Sequence, residues 1–239
     1  MQDERLKDKV IVIIGAAGGM GQAAARALAA QGARVVLGSR NEPALQNLAD
    51  ELISSGAQAA YKKVDVTNEQ EVEAFFGHAA AAFGQCDALL NLAGLSIPSA
   101  ISEMTIQQYE QSMDVNLRGI FLCSKHFIPC VDQEAGGLIV NVGSMAAKRA
   151  NANAPLYCTA KAAVNMFSQG LSLQLIERNI RVTTLNPGAT DTGFWGTRQV
   201  PREKFMTAED VAEVLLFVLQ MDPRLVIHEI NFESFAFYK

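Results

Sequence analysis

The stretch VIVIIGAAGGMG, residues Val10–Gly21, decides the fold of this chain. Its first five residues form a continuous β-branched apolar run, which is typical of a parallel strand buried on both faces. Four of the next seven residues are glycine, and a helix-forming stretch follows from Gln22 to Gln31 and ends at Gly32. In this order, backbone N–H groups at the helix N-terminus can bind a pyrophosphate. The stretch therefore predicts an α/β fold with a dinucleotide site in its first turn.

The end of the second predicted strand indicates which dinucleotide binds. The apolar run at residues 35–38 ends in Ser39-Arg40, about 20 residues beyond the loop, where an acidic residue would bind the ribose 2′-hydroxyl of NAD. A hydroxyl and a guanidinium stand there instead, and the planar fork of an arginine suits a phosphate. We therefore expect NADP(H) rather than NAD(H); the alternative is that Arg40 is a solvated surface residue.

A second group of residues suggests proton-transfer chemistry. Tyr157 and Lys161 are four residues apart, so on a helix they share one face. An ammonium near a phenol favours the phenolate and eases proton exchange with a substrate oxygen. Ser144 follows the apolar run at residues 138–140, at the carboxyl end of a strand, where open α/β sheets bind ligands. The three side chains predict a carbonyl clamp (Ser144), a proton donor (Tyr157) and its activator (Lys161); the alternative is an ordinary helix surface.

The remaining pattern alternates strands with helices. An Asn68 cap is predicted for the helix that ends at Gly84, and a capped helix start is predicted at Thr207. The pattern predicts strands at residues 59–64, 86–90, 138–142, 180–185 and from 225 onward, and long helices at residues 105–129 and 155–178.

Length and composition fit one α/β domain over residues 1–239, with a full core. A net charge of −5 gives no electrostatic footprint for nucleic acid. The four cysteines and three histidines show no ligand spacing, so no metal is expected. A polar N-terminus and the lack of a long apolar run predict a cytoplasmic protein without a signal peptide or membrane partner.

Four motifs occur in order along the chain: Gly15-x-x-x-Gly19-x-Gly21, Asn91-x-Ala93-Gly94, Ser144 and Tyr157-x-x-x-Lys161. Together they resemble the short-chain dehydrogenase/reductase family. The loop also matches Gly15-x-x-Gly18-x-x-Gly21, the spacing of a longer branch of epimerases and dehydratases, but 239 residues leave no room for that branch's extra substrate domain. The resemblance to the compact branch implies a Rossmann-type, doubly wound three-layer sandwich, with a parallel seven-stranded sheet in the order 3-2-1-4-5-6-7 and helices on both faces.

The resemblance also implies roles for individual residues. Asn116 joins Ser144, Tyr157 and Lys161 in catalysis, by kinking the long helix and holding a water against Lys161. The implied cofactor contacts are Gly15, Ala17, Gly19, Met20, Gly21, Ser39, Arg40, Asp65, Val66, Asn91, Ala93, Gly94, Tyr157, Lys161, Pro187, Gly188, Thr190 and Thr192. Asp65 and Val66 are expected at the adenine, and residues 187–192 at the nicotinamide. The short segment 193–206 is expected to form the substrate lid.

The implied activity is hydride transfer between NADP(H) and a small carbonyl or alcohol, with Tyr157 as general acid and base. A 3-oxoacyl thioester, a sugar or polyol, and a broad range of carbonyl compounds all stay open as substrates. Epimerisation or dehydration with a recycled cofactor, and a non-catalytic NADP(H) sensor, are alternatives from other classes. The basic residues near the predicted pocket either attract an anionic substrate or are solvated: Lys148, Arg149, Arg198 and Arg202.

Two features of the sequence depart from the pattern of the family. Ile14 replaces the threonine that orders the loop, so a less stable loop with intact chemistry is expected. Residues 228–239 lack the usual Val-Asp-Gly-Gly type of terminus, which leaves the far edge of the pocket undefined.

The family pairs the helices 105–129 and 155–178 between subunits, so a homo-oligomer, a tetramer or a dimer, is expected. Core packing is the default for the apolar residues there, and the interface is the alternative: Phe121, Phe127, Met166, Phe167 and Leu171.

Overall fold

The computed structural model of this protein describes residues 4–239. Its strands are β1 (Val10–Ile14), β2 (Arg34–Ser39), β3 (Gln58–Lys63), β4 (Ala88–Asn91), β5 (Gly137–Val142), β6 (Ile180–Pro187) and β7 (Glu229–Phe232). They form one seven-stranded sheet in the order β3-β2-β1-β4-β5-β6-β7, and each neighbouring pair is parallel. The predicted sheet order is confirmed. The order reverses between β1 and β4, and the carboxyl ends of those strands open the crevice where such sheets bind ligands.

Helices cover both faces of the sheet. They are α1 (Gly19–Ala30), α2 (Glu42–Ser54), α3 (Glu69–Phe83), α4 (Ile106–Met113), α5 (Gly119–Phe127), α6 (Pro155–Gln174) and α7 (Ala208–Leu219). Alternate residues of β1 point to opposite faces. Ile11 and Ile13 pack in a core with α1, α2 and α7, whereas Val12 and Ile14 pack in a second core with α3, α5 and α6. A strand with a core on each side has no place for a polar side chain, which explains its unbroken apolar run.

The predicted caps are confirmed. The Asn68 side chain accepts a hydrogen bond from the backbone of Glu71, and α3 ends at Gly84. Thr207 and Asp210 form a reciprocal capping box at the start of α7.

Two predicted elements are corrected by the structure, and other elements differ by shifts at their ends. The helix expected over residues 105–129 is interrupted between α4 and α5 by a π-helical turn, Asp114–Arg118, which contains Asn116. The last strand begins at Glu229 and not at Leu225, because the N–H of Leu225 closes a turn on the carbonyl of Asp222. Leu225 is 51% exposed there, so the apolar run that suggested a strand is a surface turn. Within residues 4–239, no helix combines the length and the apolar character needed to cross a membrane.

Candidate active site

The predicted catalytic side chains converge at the carboxyl edge of the sheet. Ser144 lies just beyond β5, and Tyr157 and Lys161 lie one turn apart on α6. All three line one cleft of about 1270 Å³. Asn116 lies behind the cleft wall and is fully buried. The fold thus brings together residues that are up to 45 positions apart in sequence.

Tyr157 and Ser144 face each other across the cleft. Burial raises the pKa of Tyr157 to about 12, although its hydrogen bond with Ser144 and the positive charge of Arg198 act to lower it. Ser144 Oγ accepts a hydrogen bond from the N–H of Ala146 (3.1 Å), and the Ser144 N–H donates to Asn186 Oδ1 (2.9 Å). The phenol therefore keeps its proton at neutral pH, beside a hydroxyl that is held in place from both sides.

Lys161 lies beside Tyr157 and binds a backbone carbonyl. Its Nζ donates to the carbonyl of Val142 at 2.8 Å and lies 5.8 Å from the centroid of the Tyr157 ring. It is not among the groups that lower the pKa of Tyr157. Instead, burial lowers the pKa of Lys161 itself to about 8. The ammonium is thus held on a backbone carbonyl beside the ring and is itself desolvated, and the activation of Tyr157 by Lys161 stays a prediction.

Asn116 is fixed by the π-helical turn. Its Nδ2 donates to the carbonyls of Ser112 and Leu95, both at 2.8 Å, and its Oδ1 accepts from the N–H of Leu95 at 3.3 Å. A methyl group placed on Gly94 would lie 3.1 Å from Asn116 Oδ1 and 3.3 Å from Lys161 Nζ. Asn116 and Lys161 therefore border the same small space, and a side chain at position 94 would fill it.

The glycine loop fits a dinucleotide phosphate. Gly15 adopts a left-handed backbone (φ +86°), and a Cβ there would lie 2.7 Å from the backbone nitrogen of Ala93. Helix α1 has no side-chain cap and no acidic residue in its first turn. Its first N–H groups therefore remain available for an anion. The loop is held through the N–H groups of Gly15 and Ala16, which both donate to the carbonyl of Gly38.

Most of the predicted cofactor residues line two adjoining cavities. A smaller cavity of about 190 Å³ is lined by Gly15, Ser39, Arg40, Asp65, Val66, Ala93 and Gly94. The larger cleft is lined by Met20, Gly94, Tyr157, Lys161, Pro187, Gly188, Thr190 and Thr192. The two cavities share Leu92 and Gly94. Ala17, Gly19 and Gly21 belong to the loop and the start of α1, and Asn91 is buried at the end of β4.

The smaller cavity has a positive edge. Arg40 is exposed there, with no ion pair to any residue in the range 4–239. Burial acts to raise the pKa of Asp65, but hydrogen bonds from Thr67 and the charges of Arg40 and Lys63 lower it overall. Lys63 pairs in register with Ser39 on the adjacent strand. It is a second cation at this edge that the sequence did not single out.

Two further buried asparagines behind the site, Asn141 and Asn186, were missed. The Asn91 side-chain amide donates to Asn141 Oδ1 (2.8 Å), and Asn141 Nδ2 donates to Ser168 Oγ (2.9 Å). Asn186, which fixes Ser144, itself donates to Asn231 (3.0 Å). Asn141 is the one polar residue in the apolar strand β5, which is a signal in the sequence, whereas β6 also contains Arg181, Thr183 and Thr184 and does not single out Asn186. Such amides need partners when buried, and here they tie together the ends of neighbouring strands.

Aromatic side chains form the outer wall of the cleft. Ring-centroid distances run from Tyr157 to Phe194 (5.9 Å), Phe194 to Trp195 (5.6 Å), Trp195 to Phe205 (4.9 Å) and Phe205 to Phe237 (5.8 Å). Phe194 and Trp195 lie in the segment expected to be the lid. Phe237 and Tyr238 supply the far edge that the atypical terminus left undefined.

Comparison with known proteins agrees with this geometry. The family model described as short chain dehydrogenase matches residues 9–202. The chain belongs to the short-chain dehydrogenase family. An uncharacterised oxidoreductase of Staphylococcus aureus (strain MRSA252) is 33% identical over 228 residues, which cover 95% of this chain and 97% of that relative.

Solved short-chain dehydrogenases share the whole fold. An alcohol dehydrogenase from the archaeon Thermococcus sibiricus, complexed with 5-hydroxy-NADP, superposes with a TM-score of 0.90 at 29% identity, covering 96% of this chain and 98% of that chain. A 7α-hydroxysteroid dehydrogenase, complexed with NADH and 7-oxo glycochenodeoxycholic acid, gives a TM-score of 0.90 at 28% identity, covering 97% and 95%. The protein is therefore an oxidoreductase of a family that binds nicotinamide cofactors.

Proposed function

We propose that this short-chain dehydrogenase interconverts a carbonyl group and a secondary alcohol with NADP(H). The observation that supports the proposal most is the convergence of Ser144, Tyr157 and Lys161 in one cleft, which is continuous with the cavity beside the glycine loop. A hydroxyl pair at the carboxyl edge of the sheet can bind a single substrate oxygen. The open first turn of α1 can bind the cofactor's phosphates.

Four side chains have separate roles in the proposed proton transfer. A bound nicotinamide would supply or accept the hydride. In reduction, the Tyr157 hydroxyl donates its proton to the carbonyl oxygen while Ser144 hydrogen-bonds that oxygen and aligns it. Lys161 supplies positive charge beneath the ring. Asn116 and Lys161 border a space in which a water can reach the ammonium and replace the proton that is spent.

The preference for NADP(H) rests on the positive edge of the smaller cavity. Arg40 and Lys63 lie where the second strand and its neighbour end, and a ribose 2′-phosphate would find a planar fork of donors and a second positive charge there. The relative from Thermococcus sibiricus was solved with an NADP derivative and the hydroxysteroid dehydrogenase with NADH. Overall similarity therefore does not distinguish NADP(H) from NAD(H), and this part of the proposal depends on Arg40 and Lys63.

We also propose that a second copy of the chain covers the outer surfaces of α4, α5 and α6. Large apolar side chains are exposed there: Ile106 (67%), Phe121 (47%), Met166 (68%) and Leu173 (72%). Phe121 also contacts Phe167 across the helices, with ring centroids 6.5 Å apart. Phe127 and Leu171, by contrast, are buried in the core. Surfaces of this kind are characteristic of interfaces.

Light scattering tests the assembly. The Phe121→Glu/Met166→Glu double variant is expected to lower the molar mass in solution to that of a smaller assembly. Ile53→Glu, which alters an exposed apolar residue on α2 (53%), should leave the mass unchanged. A monomeric wild-type protein, or an unchanged mass in the double variant, would contradict the proposed interface.

The proposed reaction is tested by NADPH oxidation with ketones, aldehydes, keto acids, ketoses and a β-ketoacyl thioester. NADPH-dependent reduction of at least one class is expected, with NADH much less effective. The Tyr157→Phe protein should bind NADPH but show no turnover. Binding of NADPH without reduction of any compound would contradict the proposed activity, and weak binding of both nucleotides would contradict the role of the glycine loop.

A further inference from the structure

Arg198 is a cation of the cleft that has no carboxylate partner among residues 4–239. Three of the four basic residues singled out from the sequence are neutralised, in the pairs Lys148–Glu229, Arg149–Glu233 and Arg202–Asp191. Arg198 pairs with none of the acids in residues 4–239; its Nε donates to the carbonyl of Trp195 (2.9 Å) and its Nη2 to the carbonyl of Phe194. Its Nη1 donates to no group in the same part of the chain. Its charge is therefore available to a ligand.

Arg198 is held close to the reaction centre. Its guanidinium lies 5.2 Å from the centroid of the Phe194 ring and 5.1 Å from that of Trp195. The Phe194 ring in turn packs against Tyr157. Two rings and two carbonyls thus fix a half-buried guanidinium in the lid, one aromatic ring away from Tyr157. The side chain is preorganised, so little rotamer entropy would be lost on binding an anion.

The charges around the cleft favour an anion. The charged side chains that line it are Arg149, Lys161, Arg198 and Glu233. Arg149 and Glu233 neutralise each other, and Lys161 is held on the carbonyl of Val142. Arg198 is left as the cation that faces the aromatic outer wall. A locally positive cleft in a chain with a net charge of −5 concentrates anionic ligands there.

We propose that Arg198 binds a carboxylate of the substrate, which would be a carbonyl compound with an aromatic or apolar body. The body would pack against Phe194, Trp195 and Phe237, while the carboxylate accepts charge-assisted hydrogen bonds from the guanidinium. The chemical step rests on the proposed function, but the binding of the carboxylate does not.

A matched pair of ketones tests the specificity. In 3-benzoylpropionate and its methyl ester, the acid group is remote from the ketone, so the two carbonyls have similar intrinsic reactivity. For the wild-type protein, kcat/KM is expected to be at least about tenfold higher for the acid, the scale of one charge-assisted hydrogen bond. Arg198→Met should lose that ratio, and Arg198→Lys should keep part of it. The control Arg202→Met, in which a paired arginine of the same segment is altered, should preserve the ratio.

Binding without turnover separates this inference from the proposed function. Trp195 is the only tryptophan of the chain and touches Arg198, so its fluorescence reports on the site directly. With saturating NADP⁺, 4-phenylbutanoate is expected to bind at least about tenfold more tightly than 4-phenylbutanamide. Arg198→Met should abolish the difference without changing the affinity for NADP⁺, and Arg202→Met should retain it.

Three results would overturn the inference: equal affinity for acid and amide, a preference for the acid that survives in Arg198→Met, or a parallel loss of NADP⁺ affinity, which would make Arg198 a cofactor contact. Arg198-dependent binding of the acid without reduction of any ketone would contradict the proposed function and support the anion site. Tyr157-dependent reduction with no preference for acids would support the proposed function and contradict the anion site.

Discussion

Replacing Lys161 by methionine should change the stability of the protein in a way that depends on pH. Lys161 is 3% exposed, and burial lowers its pKa from 10.5 to about 8. That difference corresponds to about 3 kcal/mol of unfavourable free energy for the folded state when the lysine is charged. Methionine removes this cost but also removes the hydrogen bond to the carbonyl of Val142, worth about 1 kcal/mol.

The sign of the pH dependence follows from the direction of the pKa change. Because the folded pKa lies below the unfolded one, the unfolded chain binds more protons between pH 8 and 10.5. The wild-type contribution of Lys161 to stability therefore rises with pH across that window. Relative to wild type, Lys161→Met should be about 2 kcal/mol more stable at pH 7 and about 1 kcal/mol less stable above pH 10.5.

Urea unfolding followed by circular dichroism at pH 7, 9 and 10.5 measures this crossover. Tyr157 titrates in both proteins and largely cancels in the difference. Lys125→Met is the matched control, because Lys125 is 52% exposed and paired with Glu69 at the surface; its effect should vary little over this range. A difference between wild type and Lys161→Met that stays constant from pH 7 to 10.5 would refute the reasoning that Lys161 is a desolvated charge.

Three further substitutions probe separate parts of the site. Arg40→Asp should lower kcat/KM for NADPH at least about tenfold and leave that for NADH within about threefold; a retained preference for NADPH would rule out the assigned role. Gly15→Ala should abolish the thermal stabilisation by NADP⁺, because Gly15 has a left-handed backbone and a Cβ there would meet the backbone of Leu92 and Ala93 just beyond β4. Gly77→Ala, in open space on α3, should instead stabilise the protein by about 1 kcal/mol in urea unfolding. Asn186→Ala frees the N–H of Ser144 and should lower kcat more than it raises KM in steady-state assays; an effect on KM alone would contradict this.

Sequence patterns predicted the parts of the structure that depend on local order. The run at Val10–Ile14 and the loop after it predicted the strand and the turn, because a doubly buried strand needs apolar residues and the turn needs Gly15. The helix after them was predicted from Gln22, but α1 already begins at Gly19. The order of the sheet followed from the resemblance and is confirmed. The pairing of Ser144 with Tyr157 was also expected from their positions relative to β5 and α6.

The missed features depend on contacts between distant segments. No local pattern shows that Nζ of Lys161 binds the carbonyl of Val142. Asn186 stands in a strand where its partners are visible only after β7 is in place. The apolar run at Leu225 resembled a strand, but register with β6 begins at Glu229.

The central claim is hydride transfer to a carbonyl carbon with the proton supplied by Tyr157. It is tested most directly with NADPH that carries deuterium at both C4 positions of the nicotinamide and a ketone that the protein turns over, by mass spectrometry of the alcohol. The account predicts one deuterium on the carbinol carbon for the wild-type protein and no labelled alcohol for Tyr157→Phe. An alcohol without deuterium, or labelled alcohol formed at the wild-type rate by Tyr157→Phe, would contradict it.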